Sequence, residues 1–198
     1  MGGQPLVQRL HDKSHDWEDL KKLIPHMLLE GIMGYPFSCP DMIGGGQFTS
    51  FLDDAPIDQE LVVRSTQVHT LMPMMQFSVA PWRILDERHF NAVLDAVNLR
   101  NKFKETILRL AKKASTNGEP IVRSMEYVYP HKGYVDITDQ FMLGNSILVA
   151  PYLSKGEGSR KVILPKGSWK SDTGKVFKGG KSITVNVPLT RLPYFIKE

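Results

Sequence analysis

The sequence predicts two unlike halves, an α/β segment followed by an all-β one. Two observations carry this. Up to Asn117-Gly118, short apolar runs alternate with longer stretches whose apolar residues recur at three- and four-residue spacing. Beyond Gly118, short strand-forming runs follow one another between Gly, Pro, Asn and Lys, the spacing of turn signals expected of an antiparallel β-sandwich. The change of character places a domain boundary at 115–120, giving units 1–118 and 119–198. A length of 198 residues suits one large domain or two small ones.

Residues 5–10, Pro-Leu-Val-Gln-Arg-Leu, read as a short strand, and His11 to His15 as a polar loop. Asp16 is placed to cap a helix running from Trp17 to about Glu30. Its inward stripe is Leu20, Leu23, Ile24, Met27 and Leu28. Pro25 falls inside and should kink it, and Gly31 or Gly34 ends it. The run 35–39 is a second strand, followed by a Gly-rich loop and an irregular stretch over 47–55 with Asp53-Asp54. Pro56 suits the first turn of a second helix, roughly 57–70, with Ile57, Leu61, Val68 and Leu71 inward. Residues 72–79 read as a third strand, closed by Ala80-Pro81-Trp82. A long helix spans about 87–115, its stripe formed by Phe90, Val93, Leu94, Val97, Ile107, Leu110, Ala111 and Ala114. The unit is therefore strand–helix three times over. A closed parallel barrel of this kind needs eight such units, so the first 118 residues are expected to be the last part of a barrel. Short strands are expected at 120–129, 134–137, 141–153, 160–164, 175–178 and 182–187, with tight turns at 167–169 and 178–181.

Composition excludes several classes of function. No apolar run approaches 18 residues, so no membrane span is expected, and the N-terminus lacks the basic-then-apolar plan of a leader. Where the protein resides stays open. Cys39, the single cysteine, excludes an internal disulfide and any multi-cysteine metal site. The net charge is +4, and residues 155–198 hold ten Lys/Arg against three acids. Those lysines alternate with strand-forming residues, which reads as the solvated face of a sheet rather than a nucleic-acid surface.

The stretch 34–46 organises the first half. An apolar run ends at Pro40, one acid, Asp41, follows, and then come three glycines. That is a strand with an acid at its C-terminal end, the end that carries chemistry in a strand–helix barrel. The equal alternative is that Asp41 caps a turn. Gly44-Gly45-Gly46 lacks the pattern of a phosphate loop.

Several stretches together resemble glycoside hydrolase family 31, the α-glucosidase and α-xylosidase family. They are His11-Asp12-Lys13-Ser14-His15-Asp16-Trp17, Gly34 to Gly46, the run Asp139 to Pro151, Leu164 to Trp169, and Pro188 to Ile196. The resemblance implies a (β/α)8 barrel followed by a β-sandwich, and retaining hydrolysis of α-linked glycosides by two carboxylates about 5–5.5 Å apart. It places Asp12 as the general acid/base, and Asp41 as a sugar-subsite aspartate on the next strand end. It places the nucleophile on an earlier strand. Arg9 is near Asp12 but does not match the family's sugar-binding arginine. The α-glucosidase members end a later strand in Pro-Phe-x-Arg-x-His, whereas this chain has Gln76 and Ser78 and no histidine. The stretch from Met72 to Trp82 resembles a divergent branch with α-galactosidase-like and sulfoquinovose-type members. Gln76 and Trp82 are therefore expected to face substrate, Trp82 by stacking or, equally, by packing.

The resemblance implies a carbohydrate partner and neither a metal nor an organic cofactor; His11 and His15 lie in a loop and its edge and are expected to be solvated rather than to hold a metal. Self-association, or pairing with a missing N-terminal barrel half, is expected from the open strand–helix edge. The competing readings are a non-catalytic carbohydrate-binding or structural module, and the complementing half of a split enzyme.

Overall fold

The computed structural model describes residues 7–45 and 57–198. Pro5 and Leu6 of the first expected strand, Gly46, the stretch 47–55 with Asp53-Asp54, and Pro56 lie outside the described residues.

The first strand is short, β1 Gln8–Arg9. Asp16 caps α1, Trp17–Ile32, its side chain accepting from the Asp19 amide, and all five residues of the expected stripe are buried. Pro25 does not interrupt the helix, which costs one backbone hydrogen bond but leaves the packed face intact. Gly31 lies close against the second half. A Cβ there would stand 2.9 Å from the Pro120 Cβ. The second strand shrinks to β2 Ser38–Cys39. The Tyr35 amide is bonded back to the Glu30 carbonyl, and the Tyr35 carbonyl takes the Ser38 hydroxyl. β2 runs parallel to β1, with Gln8 opposite Ser38 and Arg9 opposite Cys39.

The helix expected over 57–70 is α2, Gln59–Thr70, and its cap is Asp58. Its ten residues from Leu61 to Thr70 are all buried. The strand expected over 72–79 is corrected to a single parallel bridge, Ile43 to Phe77. Pro73 has no N–H to give a ladder. The carbonyls of Thr70, Met72 and Pro73 are all taken by the Arg100 guanidinium, at 2.8–2.9 Å. A 3-10 turn, Pro81–Arg83, leads to α3, Glu87–Asn117. Asp86 caps α3, and Gly118 ends it in the left-handed conformation. Leu94, expected inward on α3, is 40% exposed.

The second half begins with β3 Val122–Arg123 and the single-turn helix α4, Met125–Val128, which replace the strand expected over 120–129. Ser124 ends the strand by capping that turn. Residues 134–137 form a turn instead of a strand, with the Ile137 amide bonded to the Tyr134 carbonyl. The run 141–153 is a hairpin, β4 Phe141–Leu143 and β5 Ile147–Val149. Next come β6 Gly158–Leu164, β7 Ser168–Ser171, β8 Val176–Lys178, β9 Lys181–Val187 and β10 Tyr194–Lys197. Residues 168–169, expected in a turn, belong to β7. Trp169 is fully buried and its indole N–H bonds the Pro165 carbonyl at 2.8 Å.

Six strands form one antiparallel sheet in the order β3-β4-β5-β10-β7-β8, and β6 pairs with β9 as a ribbon. Strand alternation sorts the apolar residues into two cores. Phe141, Leu143, Ile147 and Val149 pack with Leu23, Ile24 and Met27 of α1 and Phe103 and Ile107 of α3. Met142, Leu148, Trp169 and Phe195 pack with Val162, Leu164, Val185 and Val187 of the ribbon. The sheet is thus buried on both faces, which is why 141–153 reads as a nearly continuous apolar run.

Candidate functional site

The parallel register of β1 and β2 decides which residues meet. Beyond the pair Arg9–Cys39, the Leu10 amide still bonds the Cys39 carbonyl at 3.0 Å. Asp12 and Asp41 therefore leave at the same end of adjacent strands. A third segment joins them there. The Ile43 amide bonds the Gln76 carbonyl, and the Ser78 amide bonds the Ile43 carbonyl, at 2.8 and 3.1 Å.

One guanidinium ties the two acids. Arg9 donates to Asp12 from one arm at 2.6 Å and to Asp41 from the other. The hydrogen bond to Asp12, helped by the charge of Asp41, raises the Arg9 pKa above its ordinary value against a burial effect that lowers it. The environments of the acids differ. The Asp12 side chain is 55% exposed, whereas that of Asp41 is wholly buried. An isolated carboxylate is very costly to bury, and Asp41 is surrounded by donors. The Lys13 amide donates to it at 3.0 Å and the Lys13 amine stands 3.5 Å away. Burial pulls the Lys13 amine below its ordinary pKa, while Asp41 opposes that shift. Asp41 has φ 65°, a left-handed conformation that costs a residue with a Cβ roughly 1–2 kcal/mol and that Asp adopts more readily than most. Gly45 follows at φ 85°, where a Cβ would stand 3.1 Å from the Lys13 carbonyl and 3.3 Å from the His15 Cβ. Glycine is required there for the 13–15 loop to lie against this strand end.

His69, near the C-terminal end of α2, closes the site from below. It is fully buried. Nδ1 faces the Ser65 carbonyl at 2.7 Å, and Nε2 faces the carbonyls of Pro40 and Asp41 at 3.1 and 3.3 Å. A cation could donate on both sides. Burial, and then the charge of Lys13, hold the ring neutral, with a pKa lowered to about 3. The consequence is a pH-dependent stability. In the unfolded chain this imidazole takes up a proton below its ordinary 6.5, and in the folded chain it does not until about 3. Stability from this residue is therefore complete above pH 6.5 and falls as the pH drops toward 3. Linkage sets the loss at about 2–3 kcal/mol by about pH 4.5. Urea unfolding of the parent and of His69→Gln across this range should show the slope in the parent and its reduction in the variant; parallel slopes would contradict it.

The other expected site residues lie differently. Gln76 is exposed beside Ile43. Ser78 is also exposed, and its hydroxyl bonds the Ile43 carbonyl at 2.8 Å. Trp82 is 71% exposed on the 3-10 turn, and among the described residues no hydrogen bond or ring contact joins it to Asp12 or Asp41. Arg9, Lys13 and His69 were not singled out as site residues from sequence. The available signal was Asp41 itself, since a carboxylate following a buried strand requires cations on its neighbour. Among the described residues no three His, Cys, Asp or Glu side chains gather as a metal-ligand set.

Residues 118–198 match the model of the glycosyl hydrolase family 31 C-terminal domain. Over 94% of its length the chain is 36% identical to the myogenesis-regulating glycosidase of Mus musculus, covering 28% of that protein. It is 32% identical to an α-glucosidase of Saccharolobus solfataricus, again over 94% of the chain and 27% of the relative. Among solved structures, a GH31 α-xylosidase from a soil metagenome, complexed with xylose, superposes with a TM-score of 0.85 at 26% identity. That match covers 96% of this chain and 32% of the other. The chain thus spans less than a third of each of these proteins.

Proposed function

The chain belongs to glycosyl hydrolase family 31, and from that premise we propose that it is the C-terminal part of a retaining α-glycosidase. Residues 1–118 are the last three strand–helix units of its barrel and 119–198 the β-sandwich that follows. Asp12 is the general acid/base, protonating the leaving oxygen and then activating water. The observation that carries this is the contrast between the acids, with Asp12 open to a substrate and Asp41 sealed. Asp41 serves the sugar subsite through Arg9, which it holds beside Asp12. Gln76 and Ser78, bonded to Ile43 at the same strand ends, form the outer wall and favour a ring other than glucose. No helix among the described residues is long and apolar enough to cross a membrane.

The test uses the longer protein that carries this chain. With Asp12→Asn, turnover of α-glycosides with poor leaving groups should fall by roughly 10²–10⁴-fold, while the first step on activated aryl glycosides persists. Unchanged turnover of both substrate types would remove Asp12 from this role. The same protein, given a panel of aryl α-glycosides, should prefer a sugar other than glucose.

The missing strand–helix units also predict how the chain behaves alone. Leu29, Ile32 and Met33 at the end of α1 are 56–64% exposed and lie on one side of the helix at i, i+3 and i+4 spacing. We expect the isolated chain to self-associate through faces of this kind. Sedimentation should show oligomers at micromolar concentration, reduced in Leu29→Lys/Met33→Lys; a stable monomer would contradict the expectation.

A further inference from the structure

Two of the seams between the halves, along α2 and along α3, differ in how their polar groups are used. Along α2 three long polar side chains cross the seam. Glu60 accepts from the Gly156 amide at 3.0 Å, Arg64 donates to the Val187 carbonyl at 3.2 Å, and Gln67 donates to the Leu189 carbonyl at 2.6 Å. Along α3 one exposed ion pair crosses near the start of the helix, Arg88 to Glu157 at 2.8 Å, and beyond it the walls stand apart around a groove of about 660 Å³. On one wall Asp95, Asn98 and Lys102 share a face of α3 and are exposed. On the other, Arg191 forks onto Asp172 at 2.7 and 2.9 Å, with the Tyr194 ring beside them. Among the described residues, no side-chain hydrogen bond or ion pair links one wall to the other, and Asp95, Asn98 and Lys102 have no side-chain partner of their own.

We propose that this groove binds a neutral oligosaccharide. Its volume falls within the roughly 300–1,000 Å³ of small-molecule sites. Its charges cancel, Asp95 and Asp172 against Lys102 and Arg191, so it offers no net attraction to an anion or a cation. What it presents is a dense set of donors and acceptors on planar or fixed groups above a floor of Leu99, Leu192 and Tyr194. The Arg191–Asp172 fork is rigid. It is held further by the Asn186 carbonyl, which accepts from Arg191, and by the backbone bond from the Asp172 amide to the Tyr194 carbonyl. Tyr194 is fixed edge-on against Phe103, with ring centroids 5.2 Å apart. A polyhydroxylated ring has alternating hydroxyls to bridge walls that do not reach one another, and an apolar face to lay on the floor.

Titration of the 198-residue chain with isomaltotriose and maltotriose, followed by amide NMR, tests this, with inorganic phosphate as the charged control. Saturable shifts in 95–102 and 190–194 with at least one sugar, and none with phosphate, are the expected result. Asp95→Ala/Asn98→Ala changes only exposed positions and should weaken binding at least about tenfold. Retardation of the chain and the variant in native gels containing dextran or glycogen gives the same comparison if self-association broadens the spectra. Absence of groove shifts, equal binding by the double variant, or equal binding of phosphate would overturn the proposal. Sugar-induced shifts confined to residues 9–13 and 41–45 would also overturn it, while leaving the assignment of Asp12 standing.

Discussion

An activated aryl α-glycoside incubated with the 198-residue chain should release no phenol above the buffer rate. Retaining hydrolysis needs a nucleophile to form the glycosyl-enzyme and an acid that later serves as base. Of the two acids at these strand ends, Asp12 suits the second role, and Asp41 is withdrawn from the first. The Asp41 side chain is wholly buried and its carboxylate oxygens are held by Arg9 and Lys13. General acid/base assistance is worth roughly 10²–10⁴-fold, against total enzymatic accelerations of about 10⁶–10¹⁷. On the proposed reading the remainder comes from groups elsewhere in a longer protein; the chain spans less than a third of the relatives compared above. A discontinuous assay with a nitrophenyl α-glycoside checks this. Turnover by the purified chain, lost in Asp12→Asn or Asp41→Asn, would show that a complete site is present here.

What was legible in the sequence was what local chemistry decides. Asp16 before Trp17, the stripe from Leu20 to Leu28 and the Asn117-Gly118 stop each rest on neighbours within a few residues, and each is found in the structure. The strand lengths were not legible, because a side chain distant in sequence decides them. Arg100 takes the Met72 and Pro73 carbonyls that a third strand would have offered. The six buried polar residues of α2, Arg64 to Gln67 with His69 and Thr70, read as a solvent face by periodicity. Arg64 and Gln67 are buried against the β half, whose carbonyls they bond, whereas His69 is buried against the Pro40 and Asp41 carbonyls of the first half. The site divides the same way. Asp41 stands out from its place after a strand and before the glycines, and Asp12 is expected from a resemblance spread along the chain, whereas the grip of Arg9 and Lys13 on Asp41 depends on the β1–β2 register. A run of two-residue strands states that register weakly.

The same buried helix makes Arg64 the side chain whose removal should cost most stability. Arg64→Ala is expected to destabilise the chain by about 3–5 kcal/mol, the range for breaking a buried charged pair by removing one partner. Three losses combine. The Val187 and Pro188 carbonyls lose their donor, as does the Gln67 side-chain oxygen, at 3.1–3.3 Å. Glu60, 3.4 Å away and only 16% exposed, is left without its cation. The space beside Tyr152, whose ring lies 5.0 Å from the guanidinium carbon, is left empty. Arg64→Lys should recover only part of the loss, because an ammonium cannot fork between carbonyls on different segments. Lys155→Ala removes another link across the same seam, the ion pair with Asp58. Lys155 is exposed, so the midpoint should barely move. Urea unfolding followed by tryptophan fluorescence reads both halves, since Trp169 lies in the β core and Trp17 donates to Asp58 beneath α2. In Arg64→Ala the two signals should shift together if the seam makes one cooperative unit. A midpoint unchanged from the parent would show that the buried guanidinium contributes nothing net to the fold.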